Sequence, residues 1–200
     1  MRIIIDGTVG AGKTTLITGS SQRDIEHKKY LGLSDLGFHI YTDLIASVIN
    51  DMRGRGISDP SLNWNLFFDL AVKQCILNYN SALNNTINFY DRGIFFLELF
   101  AKRYEQQLPQ LYFDFCKNHF YDNPVFVFEP ILSIDMTHPH VTDNKQKCYT
   151  IEDRIRQHHD VISLYKKWGY NVIEVPLGSN NPNDSNNFRL NFIKNILNIS

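Results

Sequence analysis

The chain has 200 residues, 43% hydrophobic content and a formal net charge of −1 at pH 7. This content is sufficient for a packed core and excludes a largely disordered chain, while the near-zero charge argues against nucleic acid as the main partner. The three cysteines lie far apart, which argues against a disulfide framework or a zinc site and fits a reducing compartment. Because no apolar run is long enough for a membrane span or a signal peptide, we expect a cytoplasmic protein.

Short apolar runs alternate with helical patterns along the chain. Strands are predicted at residues 2–6, 38–42, 87–90, 125–128 and 171–175. Helices are predicted from Lys13 onward and at 43–54, 62–83, 94–104, 110–120, 151–168 and 188–197, with an exposed loop at 178–187. This alternation predicts a single α/β domain over 1–200, a three-layer α/β/α sandwich whose five-stranded, mostly parallel sheet has helices on both faces.

Polar residues end four of the predicted strands. In parallel sheets, ligands bind at the carboxyl ends of the strands. We therefore expect these side chains to converge on one crevice beside the glycine-rich stretch that follows the first strand. They are Asp6, Asp43, Asp91 with Arg92, and Glu129.

The stretch Gly7–Thr14, GTVGAGKT, matches the pattern G-x-x-x-x-G-K-[ST] between a strand and a helix. Glycines let consecutive backbone N–H groups curl around an anion, and the positive end of the following helix points at the same anion. We predict a nucleotide site in which Lys13 reaches the β- and γ-phosphates and Thr14 ligates Mg²⁺. The nucleotide-binding residues predicted here are Gly7, Thr8, Val9, Gly10, Ala11, Gly12, Lys13, Thr14 and Thr15.

Two further strand ends carry candidate catalytic residues. Asp91 is predicted to be the second partner of Mg²⁺, although an aspartate there could also cap a helix. Arg92 stands where mechanical ATPases place a second acid, so it favours binding of a substrate anion or oxygen over hydrolysis. Asp43 is a candidate base for a substrate hydroxyl, with a helix cap as an equal alternative.

Two candidates lie away from the strand ends. Gln74, on an apolar helical stripe, is either a substrate-reading residue or a satisfied core amide, and nearby Trp64 could wall an aromatic substrate or belong to the core. Arg154 opens the helix that follows a polar segment carrying Lys145 and Lys147. We interpret residues 130–156 as a basic flap that closes over the triphosphate. The alternative is solvated surface charge, with Arg156 paired to Asp160.

The opening IIIDGTVGAGKTTL resembles that of thymidylate and deoxynucleoside kinases. The stretch FYDRG, the helix carrying Gln74 and the stretch YKKWGYNVIEVPLGS resemble the P-loop AAA-domain family of predicted ATPases and kinases related to nicotinamide riboside kinase. The resemblance covers almost the whole chain in order. It implies a P-loop NTPase fold, ATP and Mg²⁺ as cofactors, phosphoryl transfer to a small molecule and an adenine-binding loop from Gly178 to Asn183.

The chain departs from that family at two positions on the substrate side. Ala46 stands where the family often has an arginine, and Glu129 introduces an acid after the fourth strand. These departures leave the acceptor open.

The favoured function is a small-molecule kinase in which Lys13, Mg²⁺ and Arg154 stabilise the transferring phosphoryl group. A nucleoside- or nucleotide-like molecule is one candidate acceptor, and Asp43, Gln74 and Arg92 are the residues predicted to bind the acceptor. The alternative is a nucleotide-hydrolysing switch acting on a macromolecular partner. A GTPase is disfavoured because DNKQK has Lys147 where the guanine motif needs an aspartate. A resistance or toxin-like kinase also stays open.

Overall fold

A five-stranded sheet forms the centre of the protein in the computed structural model, which describes residues 1–19, 30–42, 44–132, 150–179 and 181–199. The strands are β1 (Arg2–Gly7), β2 (His39–Tyr41), β3 (Asn88–Asp91), β4 (Val125–Phe128) and β5 (Val172–Val175). The helices are α1 (Lys13–Thr18), α2 (Leu44–Gly54), α3 (Trp64–Asn80), α4 (Phe96–Arg103), α5 (Gln110–Cys116), α6 (Ile151–Lys167) and α7 (Pro182–Leu197). Short 3₁₀ turns span Leu33–Leu36 and Pro60–Leu62.

The strands lie in the order β2-β3-β1-β4-β5, and every neighbouring pair is parallel. The first strand is therefore central, with β3 on one side and β4 on the other. The connection that leaves β1 runs toward β2, whereas the connection that leaves β3 crosses to β4 on the other side of β1. The carboxyl ends of β1 and β3 therefore form the switch point where such sheets bind ligands. The α/β prediction is confirmed, and the sheet is fully rather than mostly parallel.

Both faces of the sheet are buried, which explains why its strands are continuous apolar runs. Successive side chains of β1 alternate between faces, so Ile3 and Ile5 join one core while Ile4 joins the other. The Ile3 and Ile5 side packs against α1 and α7, and the Ile4 side packs against α2 to α6. The predicted three layers are confirmed.

The polar run 178–187 is not entirely a loop, as the sequence had suggested, because α7 begins at Pro182. Proline suits the first turn of a helix, where its missing N–H needs no partner, and Asp184 adds an acid near the positive end. Two polar residues near the start of α7 are buried, and each donates a hydrogen bond to a backbone carbonyl outside the helix. The hydroxyl of Ser185 donates to Leu177 O at 2.6 Å, and Asn186 Nδ2 donates to Leu31 O at 3.0 Å.

The predicted start of α6 is confirmed. Thr150 Oγ1 accepts from Asp153 N at 3.1 Å, and the Asp153 carboxylate accepts from Thr150 N at 3.2 Å, which completes a capping box. The helix ends just before Gly169, whose φ of +79° suits glycine. Among the described helices, none combines the length and the apolar character that crossing a membrane requires.

Candidate active site

The glycine-rich loop leaves the carboxyl end of β1 and passes tightly against β4. Gly7, Gly10 and Gly12 adopt φ values of +144°, +75° and +82°, which other residues rarely adopt. A Cβ on Gly7 would lie only 2.9 Å from Phe128 O. The glycines of the sequence pattern are therefore required by backbone geometry, and at these three positions no side chain covers the backbone.

We expect Gly7→Ala to destabilise the protein by about 2–3 kcal/mol, because the new methyl group meets backbone and the φ angle becomes strained. Thermal unfolding should occur roughly 4–10 °C lower than in the wild type. The control is Gly54→Ala at the end of α2, where a Cβ meets nothing within 4 Å. An unchanged melting temperature for Gly7→Ala would contradict the described loop geometry.

Lys13 begins α1 and folds back over the loop. Its ammonium group donates to Gly7 O and Thr8 O, both at 2.9 Å, and the residue is 6% exposed. The Thr8 hydroxyl oxygen is buried and makes no hydrogen bond within the described residues, so the loop carries a polar atom that a ligand can satisfy. These features fit a bound phosphate chain.

Asp91 and Thr14 provide oxygen atoms beside this loop. Asp91 ends β3, is 5% exposed and lies opposite Ile5 in the strand register. Thr14 occupies the first turn of α1, which packs against both β1 and β3. Carboxylate and hydroxyl oxygens are ligands that Mg²⁺ accepts, so these residues fit the predicted metal.

Arg92 turns directly away from β3 toward β1. Its backbone N–H donates to Ile5 O at 2.9 Å, and its φ is +70°. The guanidinium group lies 3.7 Å from Asp6 Oδ1 and 4.3 Å over the ring of Phe96. Arg92 thus contributes positive charge at the carboxyl end of the sheet, next to the loop.

Asp6 is a site residue that sequence reasoning placed in the crevice without giving it a role. It is fully buried, Oδ1 accepts from Gly7 N at 2.7 Å, and Oδ2 accepts from the Tyr165 hydroxyl at 2.7 Å. The same hydroxyl accepts from Gly93 N at 3.4 Å. Burial and the Asp6 carboxylate raise the pKa of Tyr165 well above its usual value, so the hydroxyl stays protonated. Tyr165 therefore connects the start of the loop to the turn after β3.

We expect Tyr165→Phe to lower the free energy of unfolding by about 1–3 kcal/mol, because it removes a donor from a buried carboxylate. Tyr79→Phe is the matched control, since its hydroxyl donates to Phe120 O at 2.8 Å in an exposed position. Denaturant unfolding should show a smaller loss for this control, about 1 kcal/mol or less. Equal stability of Tyr165→Phe and the wild type would refute the role given to Tyr165.

Arg154, in the first turn of α6, is buried rather than surface charge. It is 4% exposed and donates through Nη1 to Ile131 O at 2.7 Å and through Nη2 to Leu132 O at 3.3 Å. The Ile131 side chain in turn lies 3.5 Å from where a Cβ on Gly12 would be. Arg154 therefore contacts Ile131, which in turn lies next to Gly12 of the glycine-rich loop.

Arg156 has a different environment from Arg154. Its side chain is 71% exposed and pairs with Asp153. The alternative pairing with Asp160 that the sequence suggested was wrong, and Arg156 is the solvated surface charge of this helix.

Glu129, the residue after β4, contacts the turn that follows β5. Its Oε2 accepts from Leu177 N at 3.2 Å, so it supports the turn after β5. Gly178 lies in this turn with a φ of +77°, and a Cβ there would clash with Phe188 at 2.4 Å. A buried arginine of α7, Arg189, joins the same region to the phosphate loop, and sequence reasoning missed it.

Gln74 is not brought to the loop by any described contact. It lies half-buried on α3, and its Nε2 donates to Asn78 Oδ1 at 2.8 Å along the same helix. The expected apolar stripe ends near it, because Leu77 is 61% exposed. Its role as a substrate-reading residue stays a prediction.

Asp43 and most of the proposed flap, 133–149 with Lys145 and Lys147, lie outside the described residues. The flanks of that segment are described, and Arg154 is one of them.

An aromatic cluster begins at Phe96, beside Arg92. The rings of Phe96 and Phe100 are 6.2 Å apart, those of Phe67 and Phe100 are 5.3 Å apart, and Trp64 stacks near Tyr104 at 4.4 Å. Trp64 is half-buried, so both interpretations of this residue, core and substrate wall, fit its position.

The histidines of α6 do not form a metal centre. His158 Nε2 lies 3.0 Å from Glu174 Oε2, and the described ranges contain no group of three metal-ligating side chains.

The sequence matches a family model over most of its length. A family model described as an AAA domain matches residues 2–181. The chain belongs to the AAA domain family. The deoxyadenosine kinase from M. mycoides with bound dATP has a similar fold, with a TM-score of 0.52 and 16% sequence identity over 99% of this chain and 100% of that chain. The comparison with curated protein sequences found no match.

The AAA domain family predicted from the sequence is thus confirmed. The relation to nicotinamide riboside kinase stays a prediction.

Proposed function

We propose that this AAA domain protein is a kinase that transfers the γ-phosphate of ATP to a hydroxyl or phosphate group of a small acceptor. The observation that carries this proposal is that Arg92 lies at the same end of the sheet as the phosphate loop. A basic residue, set 3.7 Å from Asp6 at the carboxyl end of the sheet, follows Asp91 where a hydrolysing ATPase has a second acid. The fold likeness to a deoxyadenosine kinase supports the same direction.

The residues of the candidate site have separate roles in this proposal. Loop N–H groups and Lys13 bind the phosphates and offset their charge, and Asp91 and Thr14 would hold Mg²⁺, which supplies further positive charge. Arg154 would stabilise the transferring phosphoryl group from the α6 side. Catalysis of this kind consists mainly of positioning and charge stabilisation.

Phosphoryl transfer to a hydroxyl requires one bond to form, one bond to break and one group to take up the hydroxyl proton. The acceptor oxygen forms a bond to the γ-phosphorus, the bond from that phosphorus to the β–γ bridging oxygen breaks, and ADP leaves. Asp43, two residues after the end of β2 in the sequence, would take the proton of an acceptor hydroxyl. Arg92 and Gln74 would bind the acceptor.

The aromatic cluster favours an acceptor with a planar ring, such as a nucleoside or nucleotide. Phe96 lies under the Arg92 guanidinium at 4.3 Å, and Phe100 and Trp64 continue from it. Arginine and aromatic faces together suit a molecule that has both a flat ring and oxygen or anionic groups.

The test is an acceptor screen. The protein is incubated with ATP and Mg²⁺ against nucleosides, nucleotides and hydroxylated metabolites, and products are analysed by mass spectrometry. We expect one class of compound to gain a single phosphate. The proposal fails if no acceptor is phosphorylated while ATP hydrolysis is stimulated by a protein partner, since that result describes a nucleotide-hydrolysing switch.

A further inference from the structure

Arg189 on α7 connects three segments at the carboxyl end of the sheet. The residue is 2% exposed, and its guanidinium group donates to Ala11 O at 2.6 Å, Glu129 O at 2.9 Å and Pro176 O at 3.1 Å. These carbonyls belong to the phosphate loop, the end of β4 and the end of β5. The guanidinium carbon also lies 4.7 Å over the Phe128 ring. The planar fork of arginine is the side chain best suited to bind several carbonyls at once.

The bond to Ala11 O fixes the peptide plane in the middle of the loop. In a trans peptide, the C=O and the next N–H point in opposite directions. Because the Ala11 carbonyl points to Arg189, the Gly12 N–H points away from it. A Cβ on Gly12 would lie 3.3 Å from Arg189 Nη1, so the guanidinium packs directly against this plane.

The bond is charge-assisted, which makes it strong and polarises the amide. Burial lowers the pKa of Arg189 to about 10, with the nearby Glu129 carboxylate opposing this shift. The side chain therefore keeps its proton at neutral pH. A cation bonded to a carbonyl makes the N–H of that amide a better donor.

We propose that Arg189 is a positioning residue for the phosphate loop, holding the Ala11–Gly12 peptide so that the Gly12 N–H is aimed at the phosphates of the nucleotide. Through Pro176 O the same side chain ties the loop to the turn that contains Gly178. This inference rests on the nucleotide binding proposed above. It adds a residue 178 positions away in sequence from the loop carbonyl that it holds.

The experiment measures binding of ATP and of inorganic tripolyphosphate by titration calorimetry. Arg189→Met removes all three hydrogen bonds, and Arg189→Lys keeps the charge but loses the fork. Arg2→Met is the control, since Arg2 lies at the amino-terminal end of β1, away from the loop. Its Nε donates to Tyr79 O at 3.2 Å, and its guanidinium carbon lies 4.4 Å from the centre of the Tyr79 ring. Circular dichroism melts define a temperature at which every variant is folded.

We expect Arg189→Met to weaken ATP and tripolyphosphate by the same factor, about 10- to 100-fold. Arg189→Lys should fall between it and the wild type, and Arg2→Met should bind as the wild type does. If Arg189→Met does not fold, the Arg189→Lys variant is measured alone. Unchanged affinity of that variant for ATP and tripolyphosphate would overturn the inference.

Three results would overturn the role of Arg189. The first is unchanged affinity in the folded Arg189 variants, and the second is equal weakening by Arg2→Met. The third is weakening of ATP without weakening of tripolyphosphate, which would assign the effect to the turn after β5. Failure of the wild type to bind ATP would instead defeat the proposed function itself, and this inference with it.

Discussion

Lys13→Ala is expected to lower kcat/KM for phosphoryl transfer by about 100- to 1,000-fold or more, comparable to removing a preorganised donor to developing charge. The ammonium group of Lys13 lies inside the loop, 2.9 Å from two loop carbonyl oxygens. Without it, the negative charge that builds on the transferring group is less well offset. Steady-state kinetics with a saturating acceptor measure the effect.

The matched control for this change is Lys73→Ala. Lys73 lies on the exposed side of α3 and pairs with Asp69 at 2.8 Å, so it loses the same charge away from the loop. It should retain wild-type kinetics within about a factor of two, because exposed ion pairs contribute little. Near-normal transfer by Lys13→Ala would contradict the assignment of the loop as the phosphate site.

Asp91→Asn is expected to raise the Mg²⁺ concentration needed for half-maximal activity by about 10- to 100-fold, as changes around metal ligands commonly do. The substitution keeps the size of a side chain that is only 5% exposed, so packing is preserved while one negative charge is lost. Titrating Mg²⁺ at fixed ATP, with activity as the readout, gives the shift.

The control for Asp91→Asn is Asp122→Asn at the amino-terminal edge of the sheet, where the carboxylate accepts from Arg2 N at 2.6 Å. Its Mg²⁺ dependence should match that of the wild type. A wild-type Mg²⁺ requirement in Asp91→Asn would support the other interpretation of this residue, a carboxylate that serves only the turn into the next helix.

The phosphate loop could be predicted from the sequence because all of its parts are neighbours along the chain. The strand Arg2–Gly7, the glycines and Lys13 lie within the first 13 residues, and each requirement is local. The parallel sheet could also be predicted, because continuous apolar runs separated by helices have few other arrangements.

The residues that hold the loop in place could not be predicted. Tyr165 is 159 positions from Asp6, and Arg189 is 178 positions from Ala11. In sequence, Tyr165 belongs to an apolar helical face and Arg189 to a polar helix, and neither pattern indicates a partner. Only the packing of α6 and α7 on opposite faces of the sheet brings them to the loop.

The start of α7 shows a second limit of sequence reasoning. The polar run around Asn186 has the composition of a loop. Its buried Ser185 and Asn186 side chains nevertheless donate hydrogen bonds to backbone carbonyl oxygens, those of Leu177 and Leu31. Local propensity is weak evidence when distant hydrogen bonds compensate for it.

The most direct test of kinase activity compares ADP release with acceptor phosphorylation in the same reaction. Once the screen has identified an acceptor, ADP, inorganic phosphate and phosphorylated acceptor are quantified over time for the wild type and Lys13→Ala. We expect ADP and phosphorylated acceptor to form in equal amounts, with little inorganic phosphate, and both to be lost in Lys13→Ala. Equal ADP and inorganic phosphate, formed at the same rate with or without the acceptor, would contradict phosphoryl transfer and establish hydrolysis instead.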